Sequence, residues 1–165
     1  MSQQPVIDGL EFASAGAMQH GAWPLRDLPR LRDMLASDSG EVTYTLKGVR
    51  DARGRPGLRV RVRGALQLRC QRCLEPMTLE VQSDEVLLLA ASVDEIHAEP
   101  ADAQAPDRVV AGKEMPVRDL IEDELILAVP YAPRHERCAP APALEADEKT
   151  ASPFAGLRGL MRGRH

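Results

Sequence analysis

The sequence predicts a single α+β domain in which an antiparallel β-sheet, a curved meander, is flanked by two or three helices. Apolar and polar residues alternate through most of residues 41–90, which is the pattern of strands with one buried face. On both sides of that region, apolar residues recur at helical spacing instead. A chain of 165 residues is also long enough to bury a real core and needs no second domain.

The segment before the strands is predicted to contain one helix. Residues 1–23 show little periodicity and are interpreted as a partly ordered N-terminal arm. Four leucines then recur at helical spacing: Leu25, Leu28, Leu31 and Leu35. With Asp27 as the N-cap, they predict a helix over about 28–36, which the S-D-S-G segment at 37–40 ends.

The alternating region predicts about four to six strands. The loop R-D-A-R-G-R-P-G at 50–57 turns the first strand back into the second. In the second strand apolar residues occupy one parity, and arginines occupy the other. We call this row of arginines the arginine ridge, and it consists of Arg59, Arg61, Arg63 and Arg69. A third alternating stretch follows residue 76 and ends in an apolar run at 86–90.

After the strands, residues 91–108 are rich in Ala, Asp, Glu and Pro and predict an exposed acidic loop. An amphipathic helix is then expected over 115–128, with Asp119, Glu122 and Asp123 on its outer face. The α+β domain is expected to span 24–138. Residues 139–165 are interpreted as a C-terminal tail with a short helix near 154–161.

Charge is distributed unevenly along the chain. The net charge is −4, yet Lys47 to Arg72 contains nine basic residues and one acid, a local charge of +8. This segment predicts a focused positive surface with five candidate RNA-binding residues: Arg59, Arg61, Arg63, Arg69 and Arg72. It contains no Phe, Tyr or Trp on which bases could stack, so phosphate contacts should dominate. Internal neutralisation by nearby acids is the alternative.

Two motifs contain the three cysteines. The segment L-Q-L-R-C-Q-R-C-L-E-P holds Cys70 and Cys73, and H-E-R-C holds His135 and Cys138. Three thiolates and an imidazole would complete a tetrahedral structural zinc site. Packing roles for the cysteines and a dithiol redox site remain open. A redox site normally lies at a helix N-terminus, whereas this C-x-x-C lies between two predicted strands.

Three segments of the chain occur in a characteristic order: C-Q-R-C-L-E-P, the acidic D-L-I-E-D-E-L-I-L-A-V-P-Y-A-P-R-H at 119–135 and S-P-F-A-G-L at 152–157. Together they resemble the bacterial YceD family, named for large ribosomal RNA subunit accumulation. Their order and spacing match over about 25–160. The resemblance implies a role in accumulation or maturation of large-subunit ribosomal RNA.

These observations together predict a non-enzymatic, cytoplasmic factor that acts on large-subunit ribosomal RNA or its precursor particle. The N-terminus lacks the features of a secretory signal, and no stretch is apolar enough to span a membrane. A processing nuclease or a ribosomal protein is the alternative partner, the latter bound by an acidic docking module. A thiol-based redox enzyme or sensor is the alternative function.

Overall fold

The computed structural model describes residues 5–98, 100 and 105–140. Its elements in chain order are β1 (Val6–Ile7), α1 (Gly9–Ser14), β2 (Met18–Pro24), a 3₁₀ helix (Leu25–Asp27), α2 (Pro29–Arg32), β3 (Leu35–Ser37), β4 (Glu41–Arg50), β5 (Pro56–Arg69), β6 (Pro76–Ala90), α3 (Val93–His97), β7 (Arg108–Val110), β8 (Met115–Pro116) and α4 (Val117–Ala128). The α+β class predicted from the sequence is confirmed. The described residues form four short α-helices, whereas two or three were expected.

A six-stranded sheet organises the fold. Strands β2, β4, β5, β6 and β7 lie side by side, and β3 pairs with β5 beyond the end of β4. All pairs are antiparallel except β6 with β7, so the sheet is mixed at that edge. Strands β1 and β8 form a separate ladder that holds the N-terminal segment beside the start of α4.

Three helices cover one face of the sheet. Helix α1 packs on β4 and β5, α4 packs on β5 and β6, and α2 packs on α4. The core between these layers is built from the apolar parity of the strands and from the inner faces of the helices, including Val42, Leu46, Leu58, Val60, Val62, Leu66, Leu68, Leu28, Leu31, Ile121 and Leu125. On the opposite face, polar side chains of β4, β5 and β6 are exposed.

Glu122 lies fully buried between α4 and α2, although the helical pattern predicts it on the outer face. Its carboxylate accepts hydrogen bonds from the N–H groups of Arg30 (2.6 Å) and Leu31 (3.1 Å). The first N–H groups of a helix have no partner within the helix. Glu122 supplies that partner for α2, and the prediction of a solvated carboxylate at this position is wrong.

The four leucines after Pro24 do not form one helix. Leu25 begins a 3₁₀ helix, Leu28 and Leu31 belong to the region of α2, and Leu35 begins strand β3. Leu25, Leu28 and Leu31 are completely buried, so their spacing reflects burial along an irregular path. Asp27 does not cap α2, which begins with Pro29 at its first turn and lacks a side-chain cap from its own segment.

The segment predicted as a partly ordered arm contributes β1, α1 and β2 to the fold. Strand β2 pairs with β4 from Met18 to Pro24. As an edge strand with few large apolar residues, it lacks a strong period of two in the sequence. Within the predicted acidic loop, α3 is capped by the side chain of Ser92, which accepts from the N–H of Glu95.

The C-terminal predictions lie outside the described residues. These are the short helix near 154–161 and the S-P-F-A-G-L segment at 152–157. Among the helices that the structure describes, none is both long enough and apolar enough to cross a membrane.

Candidate metal centre and basic face

The first cysteine pair lies in the turn between β5 and β6, which we call the cysteine turn (residues 70–75). The N–H of Cys70 donates to the carbonyl of Glu75, and the N–H of Leu74 donates to the carbonyl of Cys70, both at 2.9 Å. Leu74 has a φ of 65°, in the left-handed region. These two bonds close the turn and hold Cys70 and Cys73 on the same side of it.

The second pair reaches the cysteine turn from the segment after α4. The N–H of Gln71 donates to the carbonyl of Pro133 at 2.8 Å, which docks the two segments against each other. The Nδ1 of His135 then lies 3.3 Å from the Sγ of Cys73, and the Sγ of Cys138 lies 3.8 Å from the Sγ of Cys70. The fold therefore brings together all four residues that the sequence singled out.

The spacing of the four ligand atoms suits a tetrahedral metal ion. The three sulfurs and the imidazole nitrogen all lie within 4.8 Å of one another. In a tetrahedral zinc site with Zn–S bonds of about 2.3 Å, two sulfurs are about 3.8 Å apart. The four residues lie together and can bind a metal, with every position of a tetrahedron filled by protein.

His135 is oriented as a metal ligand normally is. Its Nε2 lies 3.2 Å from the carbonyl oxygen of Pro76, while its Nδ1 faces the cysteines. A ligating histidine usually donates its second ring N–H to a carbonyl or carboxylate, which fixes the ring orientation. The side chain of Arg69 also donates to the carbonyl of Leu74 at 3.0 Å and so braces the cysteine turn.

The surroundings of Cys70 and Cys138 shift the pKa values of these two thiols in opposite directions. Burial acts to raise the pKa of Cys70, but hydrogen bonds from the N–H groups of Cys73, Arg72 and His135 outweigh it and lower the pKa to about 5. Burial and the neighbouring Cys70 and Cys73 raise the pKa of Cys138 to about 11. One thiolate forms readily and opposes the next, a repulsion that a shared cation would remove.

The arginine ridge is divided between two places. Arg59, Arg61 and Arg63 lie on the uncovered face of the sheet, opposite Lys47, Thr45 and Thr43 of β4. Arg69 has the same parity but lies six residues beyond Arg63 along β5, at about 3.3 Å per residue, beside the cysteine turn. Arg72 is exposed within that turn. The five arginines therefore do not form one patch.

Asp84 neutralises part of the ridge. It lies on β6 opposite Arg61 and accepts from both Nε (2.6 Å) and Nη2 (2.8 Å) of Arg59 and from Nε of Arg61 (3.0 Å). The hydrogen bond from Arg59 lowers the pKa of Asp84, so this carboxyl stays ionised below its usual range. Among the described residues Arg63 has no such partner and faces Gln82 across the strands.

Lys47 extends the cationic surface and was not singled out as a site residue from the sequence. It is exposed and lies directly opposite Arg59 in the β4–β5 register. We call Lys47, Arg59, Arg61 and Arg63 the basic face. With Asp84 it has a net charge of +3. Counting the register back from the 50–57 loop could have placed Lys47 there. Internal neutralisation by nearby acids was the alternative from the sequence, and Asp84 provides it for Arg59 and Arg61.

A family model described as large ribosomal RNA subunit accumulation protein YceD matches residues 58–161. The match covers more than half of the chain and begins later than the resemblance over 25–160 suggested. It includes both cysteine-containing motifs. The description of that family supports a role in accumulation of large-subunit ribosomal RNA. No solved structure matches the chain. The chain belongs to the YceD family.

Proposed function

We propose that this YceD-family protein is a non-enzymatic, cytoplasmic factor that contacts phosphates of large-subunit ribosomal RNA, or of its precursor particle, through the basic face. The observation that carries the proposal is the open side of the sheet. Helices cover the other side, while Lys47, Arg61 and Arg63 remain exposed on this one. A surface of this sign attracts a polyanion and adds a salt-dependent binding term for each phosphate contacted.

The composition of the basic face favours phosphate contacts over base readout. The exposed neighbours of the four cations include Thr43, His20 and Gln82, and no aromatic ring other than the imidazole of His20 is exposed among them. Bases stack on aromatic rings when single-stranded RNA is read by sequence. We therefore expect binding that tolerates different RNA sequences and weakens steeply with salt.

We further propose that Cys70, Cys73, His135 and Cys138 hold a structural zinc ion. The support is the tetrahedral spacing of the four ligand atoms and the contact between His135 and the Pro76 carbonyl. Such an ion would tie the segment after α4 to the turn between β5 and β6. With four protein ligands it would offer no open position for substrate.

The RNA proposal is tested by a deletion and by complementation. Loss of the protein should lower mature large-subunit ribosomal RNA relative to small-subunit ribosomal RNA. A Lys47→Ala/Arg63→Ala variant should fail to restore the ratio, whereas Arg26→Ala/Lys113→Ala, which removes two exposed cations elsewhere, should restore it. An unchanged ratio in the deletion strain would contradict the role in accumulation. Full complementation by the Lys47/Arg63 variant would contradict the phosphate contacts but would leave the role in accumulation standing.

The zinc proposal is tested by metal analysis of protein produced in zinc-replete cells. About one zinc per chain is expected, and replacement of Cys138 by Ser should reduce it. A metal-free protein in which two cysteines form a reversible disulfide would instead support the redox alternative.

A further inference from the structure

One edge of β6 is open in the part of the chain that the structure describes. Strand β7 pairs with β6 only from Leu88 to Ala90. From Pro76 to Leu87, β6 therefore pairs with β5 on one side and with no described strand on the other. An exposed strand edge is a template for pairing with another extended chain.

The backbone groups on this edge can be assigned to particular residues. The N–H of Leu88 donates to the carbonyl of Asp107 at 2.8 Å, so Leu88 turns its backbone away from β5. Every second residue of an antiparallel strand turns its N–H and C=O to the same edge. The β5–β6 register is continuous, so Gln82, Asp84 and Val86 present these groups to the open edge. Pro76 has the same parity as these residues, and its carbonyl likewise faces away from β5, toward His135.

A groove of about 540 Å³ lies beside this stretch, between β6, the end of α4 and the residue before β7. Its acidic lining consists of Asp84, Glu85, Asp107 and Glu124. Its apolar lining consists of Val86, Leu87, Leu127 and Ala128. Leu127 is 74% exposed although it belongs to an otherwise well-packed helix. The groove therefore combines negative charge with an uncovered apolar strip.

Three of the four acids that line the groove have no ion-pair partner in the described part of the chain. Asp84 is engaged by Arg59 and Arg61, but Glu85, Asp107 and Glu124 form no ion pair there. Glu124 is only 4% exposed, and the hydroxyl of Ser83 donates to it at 3.0 Å. Burial raises the pKa of Glu124 against this hydrogen bond, and the nearby charges of Glu85 and Asp107 raise it further. A cation entering the groove would relieve this repulsion.

We propose that the open edge of β6 binds an extended segment of a basic partner protein, which adds to the sheet as a further strand. This mode of recognition combines main-chain hydrogen bonds with contacts of alternate side chains. On the α4 side of the sheet, Lys or Arg side chains at every second position would meet Glu85, Asp107 and Glu124. An apolar side chain next to them would cover Leu127.

Charge disfavours two other occupants of such an edge, a second copy of this chain and RNA. A second copy of this chain would bring its own Glu85 and Asp84 against the same acids. RNA would place phosphates beside them. The inference goes beyond the proposed RNA contact and does not depend on it. None of the four cations of the basic face lines the groove, and Asp84 is the residue where the two surfaces meet.

The test uses the full-length protein and a short blocked peptide in which Lys and Val alternate. Binding should slow amide hydrogen exchange at Gln82, Asp84 and Val86, measured by NMR, because these N–H groups gain acceptors. A peptide with Glu in place of Lys should not bind. Two further peptides carry backbone N-methyl groups on alternate residues, in opposite patterns. One pattern should reduce affinity by roughly tenfold or more, since it removes the donors that face β6, and the other should bind like the parent.

The charge requirement is tested with matched variants. Glu85→Gln/Asp107→Asn should weaken binding of the parent peptide by roughly three- to tenfold, whereas Glu11→Gln/Glu41→Gln should leave it unchanged. Equal binding of both N-methylated peptides would overturn the strand pairing. Unchanged affinity of the Glu85/Asp107 variant would overturn the acidic recognition. Amides of Gln82, Asp84 and Val86 that are already protected in the free protein would show that the chain itself or a second copy occupies the edge, and would overturn the proposal of an external partner.

Discussion

The fold brings the residues of the candidate metal centre together, whereas it separates the residues of the arginine ridge. The four metal-ligand candidates come from two segments more than sixty positions apart, with Cys70 and Cys138 separated by 68, and the fold brings them together. The five arginines lie within one short segment, yet the fold divides them and pairs two with Asp84. Closeness in sequence therefore did not predict which residues share a site. The chemical type of the residues, three thiols and an imidazole that can bind the same metal, predicted it better.

The largest effect should come from breaking the metal centre. Cys70→Ser removes a completely buried ligand, and we expect it to lower the free energy of unfolding by about 3 kcal/mol or more, because structural metal binding contributes directly to folding. Thermal unfolding with and without a chelator measures this. Arg72→Ala, an exposed change in the same turn, is the control. Equal melting temperatures of the Cys70→Ser variant and the wild type would contradict a stabilising metal.

Removing the carboxylate of Asp84 from the arginine ridge should have the next largest effect, an increase in RNA affinity. Asp84→Asn removes the carboxylate shared by Arg59 and Arg61, so both guanidinium groups become available to phosphate. RNA affinity should rise, and the log–log salt slope should steepen by about 0.7 to 0.9 for each new contact. Binding titrations across ionic strength test this, with Glu41→Gln as the matched loss of one exposed acid. A slope equal to that of wild type would show that the two arginines do not contact RNA.

A smaller effect on the salt dependence of RNA binding should distinguish the arginine without a carboxylate partner from one that is bonded to Asp84. Arg63→Ala should reduce the salt slope by about 0.7 to 0.9, since Arg63 has no carboxylate partner in the described residues. Arg59→Ala should reduce it less, because this side chain already bonds Asp84 through two nitrogens. The same titrations compare the two variants. Equal reductions would mean that RNA displaces Asp84 from Arg59.

The smallest effect concerns the arginine that belongs to the ridge by sequence and to the metal centre by structure. Arg69→Ala loses the hydrogen bond to the Leu74 carbonyl and should cost about 0.5 to 1 kcal/mol of stability, with no change in the RNA salt slope. Chemical unfolding and RNA titration of one variant give both values. A reduced salt slope of RNA binding with unchanged stability would show that Arg69 contacts RNA and does not stabilise the cysteine turn.

The sequence predicted most accurately what depends on local periodicity. Alternation placed Leu58, Val60 and Val62 in the core and Arg61 and Arg63 in solvent, as the structure has them. Alternation and helical spacing predicted the environment of a residue wrongly where that environment depends on a partner distant in sequence. Glu122 is buried where it accepts hydrogen bonds from the first N–H groups of α2. The sequence of one helix alone does not show this contact, because it depends on how α2 and α4 pack. Asp84 joined two arginines for the same reason, since the strand register decides it.

The long separation between the two halves of the candidate metal centre would also determine when during synthesis a metal could be fully coordinated. Cys70 and Cys73 leave the ribosome early, and His135 and Cys138 follow only after β6, β7 and α4 have been made. A nascent chain that captures an ion with its first two cysteines would hold it with half of the final ligands. Coordination by all four residues would therefore require that almost the whole domain has been translated and folded.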